Sequence, residues 1–294
     1  MQKIAIIADS VAGLPPEVIK QYVLRIVPLN IYYNGTAYKD GVTITPTEAY
    51  ELLAKDPDKF LTSPGSAGDY LEAYREASKE FQDILCITLS SKLSTLYNMA
   101  AVAKDEAKDK LPKANIEVLD SLNASGGEGL IVLAAAKAAT EGKSLAEVIK
   151  VAETVRDKVN VIGVFETIRH VYRTGRIPKM AARLMAALSI KPLFSISGGS
   201  VHVTGITRIK KIGLRRLLSK MKNEVGAKPI HAFIAHANVL DEGEKLREQI
   251  SSEFDCVELW LSDFSPIMGY ATGRGTLLIA FYVEELRRVL HFGD

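Results

Sequence analysis

Apolar β runs alternate with helical segments through the first half of this 294-residue chain. The runs at 4–8, 84–89 and 116–119 have the length and composition of buried strands. The helical segments that separate them start near Leu14, Thr45, Gly68, Leu93 and Glu128. Strands that alternate with helices predict βαβ units, in which a parallel sheet carries helices on both faces. We therefore predict a parallel α/β/α domain, with a further strand at 26–33.

The second half has a different pattern, in which a β-hairpin follows a strand at 161–165. Polar and apolar residues alternate over 192–207 around Gly198 and Gly199, as a two-residue hairpin turn requires. Because a hairpin pairs its strands antiparallel, this half predicts a smaller α/β domain with a mixed sheet. The polar residues at 156–160 mark the predicted boundary. The predicted domains are 1–160 and 161–294, and a helix is predicted at 179–188.

Charge and composition exclude several classes of protein. The net charge is +2, which is too small to favour nucleic acid as the main partner. Cys86 and Cys256 both lie in apolar runs, which argues against a disulfide framework or a zinc cluster. The longest apolar segment ends at Lys137, well short of the ~18 residues that a membrane span needs. We expect a soluble cytoplasmic protein without stable membrane insertion.

One basic stretch, 208–222, stands out from this balanced charge. Basic runs on helices are commonly solvated faces, and that is the simpler interpretation. The other interpretation is a docking face for an acidic protein partner or an anionic surface.

Small hydroxyl residues follow the predicted strands of the first half. Ser10, Ser94 and Ser121 come after three successive strands, and Thr62 and Ser63 lie between the first two of these segments. Ligands of an open parallel sheet bind beyond the carboxyl ends of its strands. Helix N-termini there offer free N–H groups and a partial positive charge. The set therefore favours a carboxylate or phosphate ligand, although any single serine is more typical of an ordinary helix cap.

The sequence lacks the common catalytic motifs. It has neither a phosphate-binding loop of the G-x-x-x-x-G-K-S/T type nor a G-x-S-x-G elbow. The glycine-rich run at 125–129 lacks the spacing of a dinucleotide loop and predicts a flexible helix entry. The histidines are not spaced as metal ligands, so we expect neither a metal nor a cofactor. A serine-type acyl hydrolase that uses Ser94 or Ser10 stays open, because catalytic triads assemble without regard to sequence order.

A series of motifs extends in order along nearly the whole chain. The motifs are IADSVAGLPPE at 7–17, VPLNIYYNGTAYKDGVTITPTEAYELL at 27–53, LTSPGSAGDYLEAY at 61–74, ITLSSKLSTLYNMA at 87–100, VLDSLNASGGEGLIVLAAA at 118–136, YRTGRIPK at 172–179, IKPLFSISGG at 190–199 and SPIMGYATGRGTLLIAF at 265–281. Together they resemble the DegV family. The resemblance implies a DegV-like α/β fold that holds a fatty acid between two domains, with the tail in an apolar tunnel.

The resemblance also implies roles for particular residues. The expected carboxylate ligands are Thr62 and Ser94, with Ser63, Ser10 and Ser121 as neighbours and Arg176 near the head group. Arg176 has an alternative role, since an arginine after a glycine often caps a helix end or pairs with a surface acid. The implied ligand is a long-chain fatty acid such as palmitate, stearate or oleate. The resemblance also implies a lipid-binding protein and not an enzyme, since family members with a known role present the acyl chain to a separate fatty acid kinase.

Two residues of the last motif depart from the family pattern. Ala271 stands where family members often have a histidine, and Ser265 stands where glycine is usual. We expect binding of a fatty acid to survive both changes. Coupling to a kinase is the step that the missing imidazole affects.

Overall fold

The computed structural model describes residues 3–166, 174–175 and 190–284. The elements of the first half are β1 (Ile4–Asp9), α1 (Pro16–Gln21), β2 (Arg25–Val27), β3 (Asn30–Tyr33), β4 (Thr36–Lys39), α2 (Pro46–Lys55), β5 (Phe60–Ser63), α3 (Ala67–Ser78), β6 (Asp83–Thr88), α4 (Leu96–Lys110), β7 (Asn115–Asp120), α5 (Gly126–Thr140) and α6 (Leu145–Lys158). Those of the second half are β8 (Asn160–Val164), β9 (Lys191–Ser197), β10 (Ser200–Thr207), α7 (Lys210–Val225), β11 (Ile230–His236), α8 (Leu240–Glu253), β12 (Cys256–Asp263), α9 (Pro266–Thr272) and β13 (Leu277–Val283). The predicted helix at 179–188 and Arg176 lie outside the described residues.

A parallel sheet forms the centre of the first half. Its strands lie in the order β2-β1-β6-β7, and every neighbouring pair is parallel. All six residues of β1 are buried, as expected for a strand covered by helices on both faces. The predicted parallel α/β arrangement is confirmed.

The predicted single strand at 26–33 is wrong, because Pro28 divides it. Proline has no N–H to donate to a strand ladder, so pairing stops there. β2 before Pro28 joins the parallel sheet, whereas β3 after it joins a separate antiparallel sheet of order β4-β3-β5. The chain therefore changes sheets within a few residues, which brings β5 close to the ends of the parallel strands.

The second half is built on a six-stranded mixed sheet. Its order is β10-β9-β8-β13-β11-β12, with one parallel pair, β11 and β12, and antiparallel pairing elsewhere. The predicted hairpin joins β9 and β10, and both turn glycines have positive φ, 53° at Gly198 and 83° at Gly199. The predicted mixed sheet is confirmed.

Helix α5 lies between the two large sheets. It contacts β1 and β6 of the parallel sheet and β8, β11 and β13 of the mixed sheet, and only Lys137 and Thr140 of its residues are not buried. A Cβ on Gly126 would lie 2.8 Å from Phe233, and one on Gly127 would lie 2.6 Å from Val161. The glycines are therefore needed for close packing, and the predicted flexible helix entry at 125–129 is wrong.

Helix α6 is one of the elements that the sequence reasoning missed, together with β4, β5 and α9. Its N-cap Ser144 and Glu147 form a reciprocal capping box, the same signal that correctly placed α2 after Thr45. The helix reaches Lys158 and includes most of the polar residues taken as the domain boundary. The division at residue 160 stays a prediction. Among the described residues, no helix combines the length and apolar character needed to span a membrane.

Candidate ligand-binding cavity

A cavity lies where the ends of β1, β5 and β6 face α9 and the mixed sheet. It encloses about 790 Å³ of empty space, part of it open to solvent, which is within the usual size of a ligand pocket. The described residues that line it are Val11, Leu29, Thr62, Ser63, Pro64, Leu89, Leu93, Ser94, Phe165, Thr174, Val201, Ile267, Met268, Tyr270, Ala271 and Thr272. None of these side chains is an acid, a lysine, an arginine or a histidine, so we call this space the uncharged cavity.

The predicted residues Thr62, Ser63 and Ser94 meet in this cavity. Thr62 and Ser63 end strand β5, which antiparallel pairing with β3 holds in place. Ser94 directly precedes Thr95, the N-cap of the 15-residue helix α4, and no side chain caps that helix. The end of β5 and the start of α4 thus bring hydroxyl groups and free helix N–H groups to one place.

The hydroxyls differ in how they are already bonded. Ser63 Oγ accepts a hydrogen bond from Asn30 Nδ2 at 3.2 Å and donates one to Pro64 O at 3.3 Å. Within the described part of the chain, the hydroxyls of Thr62 and Ser94 form no hydrogen bond. Both residues are partly exposed, so these two hydroxyls are available to a ligand.

The apolar wall comes from both halves of the chain. Phe165, at the end of β8, stacks on Phe194 of β9 with 4.0 Å between ring centroids. Tyr270 of α9 stacks on Phe60 of β5 at 5.8 Å, which holds α9 against the sheet that carries Thr62. Ala271, at the position where the family motif suggests histidine, also lines the cavity. A methyl group therefore stands there in place of an imidazole.

The hairpin between β9 and β10 closes one side. Ser90 Oγ donates a hydrogen bond to Gly199 O at 2.8 Å, and both groups are buried. Leu89 and Leu93 beside Ser90, and Val201 beside Gly199, all line the cavity. This contact therefore joins the loop after β6 to the mixed sheet at the cavity wall.

Two other predicted residues do not line the cavity. Ser121 is fully buried, and its Oγ donates to Asn123 O at 3.1 Å and accepts from Asn123 N at 3.1 Å, which forms a local turn. Ser10 Oγ donates to Asp40 Oδ2 at 2.7 Å and lines a different space. Both serines follow a strand as predicted, but their hydroxyls already have partners.

The space beside Ser10 is strongly acidic. It holds about 1320 Å³, partly open to solvent, and the carboxyl groups of Asp9, Asp40 and Asp263 line it, so we call it the acidic cleft. Asp40 was not predicted, because nothing in its neighbouring sequence shows that it is buried. It also accepts a hydrogen bond from Ser265 Oγ at 2.6 Å.

Burial sets the charge of the carboxyl groups in this region. It raises the pKa of Asp9 to about 6, although the backbone N–H groups of Leu89 and Val11 donate to this carboxylate at 2.8 and 3.0 Å. Burial and the nearby Asp9 raise the pKa of the fully buried Glu128 well above its usual range. Burial also raises the pKa of Asp40, and the two serine hydroxyls oppose this shift.

No group of three or more histidine, cysteine, aspartate or glutamate side chains suited to a metal ion occurs among the described residues.

Comparison with known proteins gives one consistent answer. A family profile described as "Uncharacterised protein, DegV family" matches residues 3–284. DegV domain-containing protein TTE1491 of Caldanaerobacter subterraneus is 34% identical over 76% of this chain and 78% of its own length. DegV domain-containing protein BH3627 of Halalkalibacterium halodurans is 30% identical over 97% of this chain and 100% of its own length.

Solved structures agree with these sequence matches. A DegV family protein from Thermus thermophilus, described as fatty acid binding, is 29% identical with a TM-score of 0.87, covering 96% of this chain and all of its own. DegV from Bacillus subtilis, described as a fatty acid binding protein, has a TM-score of 0.85 at 24% identity over 97% of this chain and all of its own, which supports the fold alone. The DegV-like fold predicted from the motifs is confirmed. With its profile match from residue 3 to residue 284, this chain belongs to the DegV family.

Proposed function

We propose that this chain binds a long-chain fatty acid in the uncharged cavity, with the carboxylate held by the hydroxyls of Thr62 and Ser94. The observation that carries the proposal is that these two hydroxyls, without hydrogen-bond partners in the described structure, lie in a mostly apolar cavity. The Thermus thermophilus relative, at 29% identity, is described as binding a fatty acid. Palmitate, stearate and oleate are the ligands we expect.

The energetics allow such a complex. About 14 buried methylenes contribute roughly 11 kcal/mol at ~0.8 kcal/mol each. Association costs about 4–15 kcal/mol, so the tail alone gives modest affinity. Each hydrogen bond to the charged carboxylate adds about 1.5–3 kcal/mol. The tail therefore supplies most of the affinity, and the hydroxyls fix the orientation of the head.

The surroundings of the proposed head-group site would leave a bound carboxylate able to react with a phosphate donor. Ser94 stands at the start of α4, whose uncapped N-terminus favours an anion. No cation among the described lining residues neutralises the carboxylate. We propose that the bound fatty acid is presented to a separate fatty acid kinase, which would phosphorylate that carboxylate. Arg176 near the head group and a cytoplasmic location stay predictions from the sequence.

The bonding pattern narrows the set of head-group residues. Ser63 is the third proposed neighbour of the carboxylate, because it lines the same cavity. Ser10 and Ser121 are not proposed as direct ligands, since their hydroxyls are bonded to Asp40 and to the backbone of Asn123. The walls come from both sides of residue 160, in keeping with a lipid held between domains 1–160 and 161–294.

The structure offers no specific support for the alternative, a serine-type acyl hydrolase. A nucleophilic serine needs a base within hydrogen-bond reach. No histidine is among the described residues that line the cavity beside Ser94, and the partner of Ser10 is Asp40.

Removing the two available hydroxyls tests the proposal. Thr62→Val combined with Ser94→Ala should lower the affinity for palmitate at least about a hundredfold, because two hydrogen bonds to a charged group are lost. Isothermal titration calorimetry measures the affinity. The matched control is Thr47→Val with Ser91→Ala, which removes exposed hydroxyls away from the cavity and should leave the affinity unchanged.

Native mass spectrometry of the purified protein gives a second test. We expect a bound acyl chain that is released on denaturation. Protein that carries no lipid and also ignores added palmitate and oleate would contradict the proposal. Equal affinity of the double variant and the wild-type protein would place the carboxylate elsewhere.

A further inference from the structure

A chain of hydrogen bonds through Asp40 connects two walls of the uncharged cavity, one at Leu29 and the other at Ile267. Asp40 Oδ2 accepts from Ser10 Oγ at 2.7 Å and from Ser265 Oγ at 2.6 Å. Each serine oxygen also accepts a backbone N–H at 3.3 Å, from Leu29 to Ser10 and from Ile267 to Ser265. Leu29 and Ile267 both line the cavity. We call this chain, from Leu29 N to Ile267 N, the Asp40 relay.

We infer that Asp40 is a positioning residue, which fixes the separation of the two cavity walls and thereby the retention of the fatty acid tail. The inference rests on the proposed function, and it assigns a role to a residue outside the lipid-binding cavity. Asp40 does not line that cavity. It acts on the lipid only through Ser10 and Ser265.

The chemistry of the relay makes it a strong connection. Both serine hydroxyls donate to one oxygen of the Asp40 carboxyl, at 2.7 and 2.6 Å, which is the short part of the usual range for such bonds. Asp40 is 5% exposed, so little water competes for its oxygens. Each serine both accepts and donates, and bonds arranged in such a chain polarise one another. The relay is therefore stiffer than two isolated serine caps.

The relay joins segments that are far apart in sequence. Ser10 follows β1 and Leu29 follows β2, both strands of the parallel sheet. Ser265 caps α9, which lies between β12 and β13 of the mixed sheet. Because both serines donate to the same oxygen, a movement of either wall changes the position of the shared acceptor. The two walls are thus coupled through one atom.

The fold does not depend on the relay alone. Tyr50 of α2 donates a hydrogen bond to Phe264 O at 3.3 Å. A Cβ on Gly269 would lie 2.3 Å from the Tyr50 ring, so α9 packs tightly on α2. Variants that lose one serine hydroxyl should therefore fold, and their effect on the lipid can be measured.

A double-mutant cycle tests the inference with cis-parinaric acid, a fluorescent fatty acid, as the probe. Ser10→Ala and Ser265→Ala should each raise its dissociation rate about threefold to tenfold, the effect of losing one hydrogen bond. The double variant should show less than the product of the two factors, because breaking either end already frees the walls. In an Asp40→Ala background, neither serine substitution should change the rate further.

Two more variants separate positioning from general stability. Asp40→Asn keeps an acceptor oxygen and should recover most of the retention lost in Asp40→Ala. Ser262→Ala is the matched control, since Ser262 lines the acidic cleft but its hydroxyl donates to Asp263 O and not to Asp40. It should leave the dissociation rate unchanged. If Asp40→Ala does not fold, the test rests on the coupling between Ser10→Ala and Ser265→Ala measured with Asp40 unchanged.

The failures of the two proposals are distinguishable. Wild-type protein that does not bind cis-parinaric acid or palmitate contradicts the proposed function itself. Wild-type binding with multiplicative serine effects, or with lowered thermal stability but unchanged dissociation rates in the variants, contradicts only the role of Asp40.

Discussion

The uncharged cavity and the acidic cleft lie beside each other at the ends of the parallel strands, and they differ in charge. Hydroxyl residues line both, Ser94 in the first and Ser10 in the second. Three carboxyl groups line only the acidic cleft. A fatty acid head placed there would meet like charges, whereas beside Ser94 it meets hydroxyls and a helix N-terminus. If the chain binds a fatty acid as proposed, neighbouring charge, and not the hydroxyls alone, selects the site for its carboxylate.

The largest expected effect comes from making the uncharged cavity acidic. Ala271→Asp should lower fatty-acid affinity at least about a hundredfold, because two like charges ~4 Å apart near a protein surface repel by about 4 kcal/mol. Val42→Asp adds the same charge to the acidic cleft, where Val42 is 70% exposed, and should change little. Calorimetry with palmitate compares the two. Equal losses in both variants would break the distinction between the cavities.

The acidic cleft should also make the stability of the protein depend on pH. Burial raises the pKa of Asp9 from 3.8 to about 6, so the folded protein keeps a proton that the unfolded chain has already lost. Stability is therefore greatest below about pH 4 for this group and falls as the pH rises to about 6, by roughly 2–3 kcal/mol. Asp9→Asn should flatten this part of the profile in urea unfolding experiments.

The control for the pH profile is the double variant Thr62→Val with Ser94→Ala, which removes no carboxyl group and should keep the slope. Asp40 and Glu128, whose pKa values are also raised, supply the slope that remains in Asp9→Asn. An unchanged slope in Asp9→Asn would show that this carboxyl titrates alike in the folded and unfolded chain.

A smaller effect is expected at the hairpin that closes the uncharged cavity. A Cβ on Gly199 would lie 2.6 Å from Ser90 Oγ, and φ there is +83°. Gly199→Ala should disturb the hydrogen bond from Ser90 and raise the lipid dissociation rate about tenfold, a factor that corresponds to ~1.4 kcal/mol. Gly205→Ala in the same hairpin meets only Leu193, at 3.6 Å, and should leave the rate unchanged. Similar dissociation rates in both variants would show that the hairpin contact does not affect lipid retention.

The smallest effect concerns a cation in the uncharged cavity. Ala271→His should make fatty-acid binding about threefold tighter at pH 6 than at pH 8, because a partly exposed ion pair contributes ~0.2–1 kcal/mol once the imidazole is protonated. Ala271→Gln adds a similar volume without a titrating charge, and its affinity should not follow this pH change. Fluorescence titration with cis-parinaric acid measures both. A histidine variant that behaves like the glutamine variant would place residue 271 away from the carboxylate.

Much of the fold could be predicted because it depends on local patterns. The alternation of apolar strands with helices predicts the βαβ order, and the two adjacent glycines predict the turn at Gly198 and Gly199. The change of sheet at Pro28 was missed, since a single proline inside an apolar run does not show which partner each side will find. The burial of α5 on all sides was also missed, because its glycines resemble a flexible loop until Phe233 and Val161 are seen against them.

The candidate site could also be predicted only in part. Ser94 follows β6 as expected, and Thr62 and Ser63, which the motif resemblance selected, end β5 in the same cavity. Position after a strand also selected Ser10, whose hydroxyl faces a carboxylate that comes from a distant loop. No local pattern distinguishes Asp40 from the other acids of the chain, because its burial depends on Ser265, 225 residues further on.

The position of α5 has a consequence for how this protein unfolds and for how it can be divided. With only Lys137 and Thr140 of its residues not buried, the helix needs apolar partners on both sides at once. A fragment that ends after α6 would expose the face of α5 that packs on Phe233, and a fragment that begins at β8 would expose the sheet surface that α5 covers. We therefore expect each fragment to be insoluble when it is expressed alone and soluble when the two fragments are co-expressed. The intact chain should unfold in a single calorimetric transition.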